Sequence, residues 1–387
     1  MSSNLKNVIE DSCCGCGACY QICPKKSIQM EENERGFLVP IVDETTCVKC
    51  GACLKVCPEK ERPLFNTVKK AYAAISQSKG LLTVSTSGGV FGEMARLVIS
   101  EGGCVYGCAW DENLHARHKK VECLDDLQQI QKSKYVQSDT NTTFIDVRND
   151  LKQGRKVLYS GTACQIAGLR KFLNGREDRL ITVEVACHGV PSPGLFQKYI
   201  NWKSRIYRSK IVGIQFRNKE KHKKGEHYMF RVDFDDGKQQ YCLSNEDPYY
   251  GAFLEGRSLR QTCYNCKYKQ RDRVADILLG DYWGVEKVHP DFPAQNGASA
   301  IVITSEKGLH LFEQIEDGLI FEKSEFDRIT KHNKSIISCA KCPVDKRLKF
   351  IDMDADRLFS ELKPKFSIKK RIKNMVPEKV KYLLKRL

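Results

Sequence analysis

The sequence has no run of about 18 uncharged apolar residues, which excludes an ordinary membrane-spanning helix. Its opening, Met1-Ser2-Ser3-Asn4-Leu5-Lys6, puts no apolar stretch behind the first charge. It does not read as a secretory signal, and the expectation is a cytoplasmic chain. Neither a G-x-G-x-x-G fingerprint nor a G-x-x-x-x-G-K-[ST] loop occurs, so nicotinamide binding and nucleoside-triphosphate motors lack support. Acids are nearly missing from the carboxyl end, where ten Lys or Arg between Lys363 and Leu387 face only Glu378. That tail carries +9 of the formal +16, leaving +7 on the other 362 residues. The basicity therefore belongs to the tail, and no nucleic-acid partner is expected from the overall charge.

With 387 residues, 41% hydrophobic and 29% charged, the chain has apolar material for two or three packed domains. It also holds 19 cysteines, which in a reducing compartment point to metal ligation or redox chemistry rather than disulfides. Nine of the 19 fall before residue 66. They include two copies of one pattern, C-x2-C-x2-C-x3-C-P, formed by Cys13, Cys16, Cys19 and Cys23-Pro24 and again by Cys47, Cys50, Cys53 and Cys57-Pro58. Three thiolates two residues apart on a tight loop converge on three corners of one cubane. The fourth, carried past a short helix, points to the partner cluster. On that logic Cys13, Cys16, Cys19 and Cys57 hold one [4Fe–4S] cluster, and Cys47, Cys50, Cys53 and Cys23 hold a second.

A hairpin is expected between the repeats, turning through Glu31 to Arg35. Zinc is the alternative occupant, but it usually pairs two C-x2-C knuckles over a longer spacer. Cys14 is surplus to both sets and reads as a bystander. The first 62 residues resemble the bacterial-type two-cluster ferredoxin, an α+β module that implies an electron wire.

Glu61 to Asn66 reads as a linker. Beyond it, strand-like and helix-like segments alternate, which argues for α/β layering. Strands are predicted at Ala71 to Ser76, Cys104 to Ala109, Lys156 to Ser160, Leu180 to Val185, Ile211 to Arg217, Tyr228 to Phe234 and Ile301 to Thr304. Helices are predicted at Gly88 to Ser100, Phe144 to Leu151 and Cys164 to Leu173. Ser85-Thr86-Ser87-Gly88-Gly89 opens the first of these helices, where exposed amides beside hydroxyls suit a phosphate. Cys263 and Cys266 have metal-ligand spacing, while Cys164 and Cys187 each follow a predicted strand. Strand carboxyl ends converge on the ligand crevice of such sheets, so these four cysteines can meet at a third cluster. Buried structural thiols with a zinc knuckle are the alternative. Cys104, Cys108, Cys123 and Cys242 read as small core residues, and Cys339-x2-Cys342 stays unassigned.

Several of these segments carry a family resemblance, namely Ser87-Gly88-Gly89, Gly161-Thr162-Ala163-Cys164-Gln165, Cys187, Cys263-x2-Cys266, Ala275-Asp276-Ile277 and Gly280-Asp281. From about residue 69 to 350 the chain resembles the beta-subunit family of coenzyme F-420 hydrogenases and dehydrogenases. It departs from the family's motif by carrying Ala163 where Pro is usual. The resemblance implies an FAD-binding α/β domain, a third [4Fe–4S] cluster beside the flavin, and two-electron chemistry on an organic partner. For the flavin phosphates the candidates are Thr86, Ser87, Gly88 and Gly89, with Gly161 and Thr162 close by. His188, next to Cys187, is the candidate proton donor.

The expected function is an iron–sulfur flavoprotein oxidoreductase that joins ferredoxin-type clusters to FAD and a two-electron substrate, with coenzyme F-420 a candidate. The alternative is a non-catalytic electron-transfer subunit of a larger complex. Expected partners are an electron donor or acceptor protein, or a small-molecule substrate. From Phe366 to Leu387, apolar and basic residues interleave as in an amphipathic helix, so an anionic membrane surface is a further expected partner.

Overall fold

A computed structural model describes residues 5, 12–220, 228–342 and 352–363. In each cysteine repeat the Gly-Ala-Cys step opens a short helix, Ala18–Ile22 in the first and Ala52–Lys55 in the second. Each is entered from a glycine in the left-handed region, Gly17 at φ 75° and Gly51 at φ 74°. Side chains other than glycine rarely adopt that conformation. The helices are brief because each must end where the fourth cysteine and its proline turn away. Between them β1 (Ile28–Glu32) and β2 (Leu38–Val42) pair antiparallel, as the expected hairpin.

The larger body is built on β3 (Lys70–Ser76), β4 (Cys104–Trp110), β5 (Ala116–Val121), β6 (Val157–Gly161) and β7 (Leu180–Val185). It continues through β8 (Ile211–Asn218), β9 (Met229–Phe234), β10 (Gln239–Leu243), β11 (Ile277–Asp281), β12 (Ser299–Ile303) and β13 (Leu319–Ser324). Eight of these form one mixed sheet in the order β13-β3-β12-β11-β7-β6-β4-β5, and β10-β9-β8 form a separate antiparallel sheet. The centre, β4, β6, β7 and β11, is parallel. β12 runs against both β11 and β3, so β3 points the same way as the central strands.

The burial pattern explains this layout. Val157, Leu158 and Tyr159 of β6 are fully buried, as are Ala300 to Ile303 of β12. Continuous apolar runs of this kind suit strands covered on both faces. On one face Val90, Met94 and Val98 of the helix Val90–Ser100 pack with Leu311 and Phe312. On another, Phe144, Ile166, Leu169 and Phe172 pack with Cys16 and Ala18 of the first repeat. The small sheet packs through Phe216, Phe230 and Val232 against the helices Pro193–Tyr207 and Pro248–Leu254.

The protein is thus a mixed α/β molecule with a large mixed sheet and an amino-terminal cysteine-repeat region. The expected linker is fastened rather than free: Asn66 exchanges two backbone hydrogen bonds with Arg273, at 2.7 and 2.9 Å. Cys104 is buried as expected and Cys108 and Cys242 are half-buried, but Cys123 is exposed, its thiol turned to Asp126. It follows β5 at an edge of the sheet, where nothing covers it. Among the described residues no helix is long and apolar enough to cross a membrane. The expected amphipathic helix lies outside the described residues.

Candidate functional site

Cys23, Cys47, Cys50 and Cys53 line one small cavity of about 20 Å³ within the cysteine-repeat region. Cys13, Cys16, Cys19 and Cys57 gather separately. Burial pushes the Cys19 thiol well up, and the neighbouring Cys13 and Cys57 push it further. Cys23 thus lies with the three leading cysteines of the second repeat, and Cys57 near Cys13, Cys16 and Cys19. Among the described residues, no three His, Cys, Asp or Glu side chains converge on a single metal ion. Cys23, Cys47, Cys50 and Cys53 stand around one void, and four thiolates are the ligand demand of a cubane.

A larger cavity of about 340 Å³ opens at the carboxyl ends of β6 and β7. Its walls carry Cys164, Cys187, Cys263 and Cys266, together with Cys14. The first two arrive there because each strand ends just before them. Thr162 and Gln165 cap the helix Ala163–Leu173 reciprocally, with the Thr162 amide donating to Gln165 Oε1 at 3.0 Å. This fixes Cys164 in the first turn, where contact with Cys14 and then burial push its thiol well up. Cys263 lies in the short 3-10 helix Gln261–Asn265, and Cys266 follows it. Burial raises the Cys187 and Cys263 thiols and pushes Cys266 up to about 12. Thiols so placed stay protonated until a metal displaces the proton.

Positive charge borders the same cavity. Lys269 donates to the carbonyls of Cys187 and Ser335, and Arg273 pairs with Glu184. Both partners of that pair are buried, and Glu184 Oε2 has no hydrogen-bond partner. His188 lines the cavity beside Cys187, with its ring edge-on to Phe253 at 5.3 Å and Nε2 unpartnered. Burial, and secondarily Lys269, hold its pKa below the usual range. Tyr268, also on the wall, buries an unpartnered hydroxyl.

Cys14, a bystander by its spacing, lies on this wall in side-chain contact with both Cys16 and Cys164. Cys339 stands close too: its sulfur accepts from the Cys266 amide at 3.2 Å. Only the fold could show either placement, because Cys14 is one residue off the repeat and Cys339 has no motif partner near Cys266.

The flavin candidates divide into two groups. Thr162 lines the large cavity and Gly161 ends β6 beside it. Thr86, Ser87, Gly88 and Gly89 follow β3, four strand spacings away, roughly 19 Å, at the same end of the sheet. The expectation that Gly161 and Thr162 lie close to them is therefore corrected. At the β3 loop, Ser87 Oγ donates to the Ala298 carbonyl at 2.8 Å and the Gly88 amide donates to Ser299 Oγ at 3.1 Å. A Cβ on Gly88 would stand 2.4 Å from the Ala74 carbonyl oxygen, so glycine there permits close strand packing.

The two cysteine regions are held together by polar contacts. Thr140 Oγ1 donates to the Cys16 carbonyl at 2.9 Å, and Gln137 Nε2 donates to the Cys14 and Gly15 carbonyls. The Phe144 amide donates to Gln21 Oε1 at 2.8 Å, and Lys267 pairs with Glu59 at 3.0 Å.

Residues 154–328 match the model for the carboxyl-terminal part of the coenzyme F420 hydrogenase/dehydrogenase beta-subunit family. Residues 12–60 match the 4Fe-4S dicluster domain model. No curated protein matches, whereas 12 chains of solved structures do. One belongs to the F420-reducing [NiFe] hydrogenase complex from Methanosarcina barkeri, with 17% identity, a TM-score of 0.49, and coverage of 71% of this chain and 90% of that one.

Proposed function

We propose, for a chain whose residues 154–328 carry the carboxyl-terminal segment of the coenzyme F420 hydrogenase/dehydrogenase beta-subunit family and whose residues 12–60 carry a 4Fe-4S dicluster domain, an iron–sulfur flavoprotein oxidoreductase. In this reading residues 1–62 form the ferredoxin module and residues 69–350 the flavin domain, in a cytoplasmic protein. Electrons pass between the module and a two-electron organic substrate, for which the family match nominates coenzyme F-420. When bound, the clusters supply one-electron transfer and FAD couples it to two-electron chemistry.

The observation that carries this reading is the large cavity. Cys164, Cys187, Cys263 and Cys266 come from three separated segments and line one void, on whose wall Cys14 touches both Cys164 and Cys16 of the first set. Its sulfur-rich lining fits a third [4Fe–4S] cluster ligated by those four thiolates. Lys269 and Arg273 add positive charge near anionic sulfur. His188 Nε2, buried and unpartnered, is the atom placed to hold a proton at that wall.

Iron, sulfide and flavin analysis of anaerobically purified protein tests this. About twelve iron atoms per chain supports three clusters and about eight supports two. Iron near eight in the wild type, unchanged by Cys263→Ala, removes the third cluster. The match to a family of beta subunits favours a second reading, a non-catalytic electron-transfer component of a larger assembly. Turnover of coenzyme F-420 by the isolated chain decides between the two: activity supports the enzyme, and flavin and clusters without turnover support the component.

A further inference from the structure

The two cysteine repeats copy each other in backbone but not in surroundings. A shift of 34 residues sets Cys14 against Val48, Gly15 against Lys49, Cys16 against Cys50 and Gln21 against Lys55. Gly15 and Lys49 share the left-handed region, at φ 69° and 54°.

The first copy of these positions is spent on the larger body. Cys14 and Cys16 are 8% and 7% exposed, and Gln21 bonds with Thr140 and Phe144. A Cβ on Gly15 would strike the Gln137 and Arg260 side chains. The second copy is uncovered. Val48 is 58% exposed, and Lys49, Cys50 and Lys55 are exposed with it.

Charge divides the same way. In the tail of the second repeat, Glu59 pairs with Lys267 at 3.0 Å and Glu61 with Lys171 at 2.8 Å, both lysines belonging to the larger body. The first repeat carries Lys25 where the second carries Glu59. Lys25 follows Cys23 to the void of the second set, which it lines together with Val48 and Lys49. Lys26 and Lys55 are exposed beside them in the chain. Among the described residues no carboxylate lies within ion-pair distance of these four lysines. Asp43, a nearby acid, is engaged by the Thr45 and Thr46 hydroxyls at 2.6 and 2.9 Å. A left-handed backbone strains a lysine and not a glycine, so what Lys49 adds over its counterpart Gly15 is charge.

We propose that Val48, Lys49 and Lys25, flanked by Lys26 and Lys55, form a docking face for an acidic electron-carrier protein of the ferredoxin type, seated over Cys50. An apolar centre with a basic rim suits such a partner, and opposite charge steers its approach. The module then uses one set of positions twice, inward on the larger body and outward on the carrier. One electron passes between the carrier's cluster and the cluster of Cys23, Cys47, Cys50 and Cys53. One is oxidised as the other is reduced, with no bond made or broken. The face rests on the cluster reading above and is independent of the flavin.

Anaerobic protein is mixed in stopped flow with a reduced two-cluster bacterial ferredoxin of net negative charge. Methyl viologen radical, a small cation that needs no docking face, is the parallel reductant. Calorimetry measures affinity for the oxidised ferredoxin. The wild-type rate with ferredoxin is expected to fall steeply as salt rises from about 0.05 to 0.5 M. Lys25→Glu with Lys49→Glu is expected to slow ferredoxin by about tenfold or more at low salt and to weaken its affinity, with viologen not slowed. Lys49→Gly, which removes the charge and relaxes the backbone, is expected to slow ferredoxin without loss of thermal stability. Unchanged iron content certifies the clusters of each variant. Wild-type protein without iron in the repeats removes the cluster reading, and the face with it. Clusters that viologen reduces, with ferredoxin rates and affinity indifferent to salt and to these substitutions, overturn the face alone. Equal slowing by both reductants overturns it too. Charge reversal that spares ferredoxin but releases the protein from phosphatidylglycerol vesicles assigns the face to a membrane and overturns the proposal.

Discussion

Arg260 donates from Nε to the backbone carbonyl of Cys13 at 2.6 Å. The same guanidinium donates to Gln137 Oε1 at 2.8 Å and the Leu38 carbonyl at 3.0 Å, and lies 5.2 Å from the centroid of the Phe37 ring. One planar, five-donor group thus ties the first repeat and the hairpin to the segment that carries Cys263 and Cys266.

Replacing Arg260 by Met removes a donor from the buried Gln137 side-chain oxygen and from the half-buried Leu38 and Cys13 carbonyls, the last keeping only Thr262 Oγ1 at 3.5 Å. The expected cost is roughly 3 kcal/mol or more of docking stability. Limited proteolysis under anaerobic conditions checks it. Cleavage between residues 60 and 70 should speed up markedly, with reduced iron retention, and an unchanged rate would assign the docking to other contacts.

A Cβ added at Gly168 would stand 2.8 Å from Cys16 Sγ. Gly168 lies inside the helix Ala163–Leu173, where alanine is intrinsically better by about 1 kcal/mol. The two effects have opposite sign. Gly168→Ala is expected to lower iron content and alter the paramagnetic signal of one reduced cluster. A variant with full iron, an unchanged spectrum and greater stability would show that the Cys16 contact gives way freely.

His118 is buried, with Nε2 3.0 Å from the Ser160 carbonyl and Nδ1 3.1 Å from Ser138 Oγ. Burial, with Lys134 adding to it, brings its pKa down to about 4. The unfolded chain protonates near 6.5, so between pH 6.5 and 4 unfolded protein binds the extra proton. Stability is full above that window and falls within it, by about 3 kcal/mol in total. Unfolding midpoints in urea at pH 7.5, 6.0 and 5.0 should drop for the wild type relative to His118→Gln. Parallel slopes would refute the assignment.

What is legible in the sequence follows from how locally each feature is encoded. The two cysteine repeats, their helices and the hairpin rest on short-range spacing, and the structure reproduces them. The hydrophobic strands β3, β4, β6 and β7 are readable because their apolar runs are continuous. β5, with Arg117, Lys119 and Lys120, hides its strand character behind charge, and β11 reads as a Gly-Asp motif rather than a strand. The meeting of Cys164, Cys187, Cys263 and Cys266 is expected from strand ends plus resemblance. The contacts of Cys14 and Cys339 are invisible, because each depends on segments more than 70 residues away.

The walls of the large cavity run from Ser12 to Ile336 in the chain. The compartment therefore has no existence until the ribosome has passed Ile336, whereas the paired repeats are complete within the first sixty residues. The cysteines of the two repeats can thus come together long before the wall of the large cavity is closed.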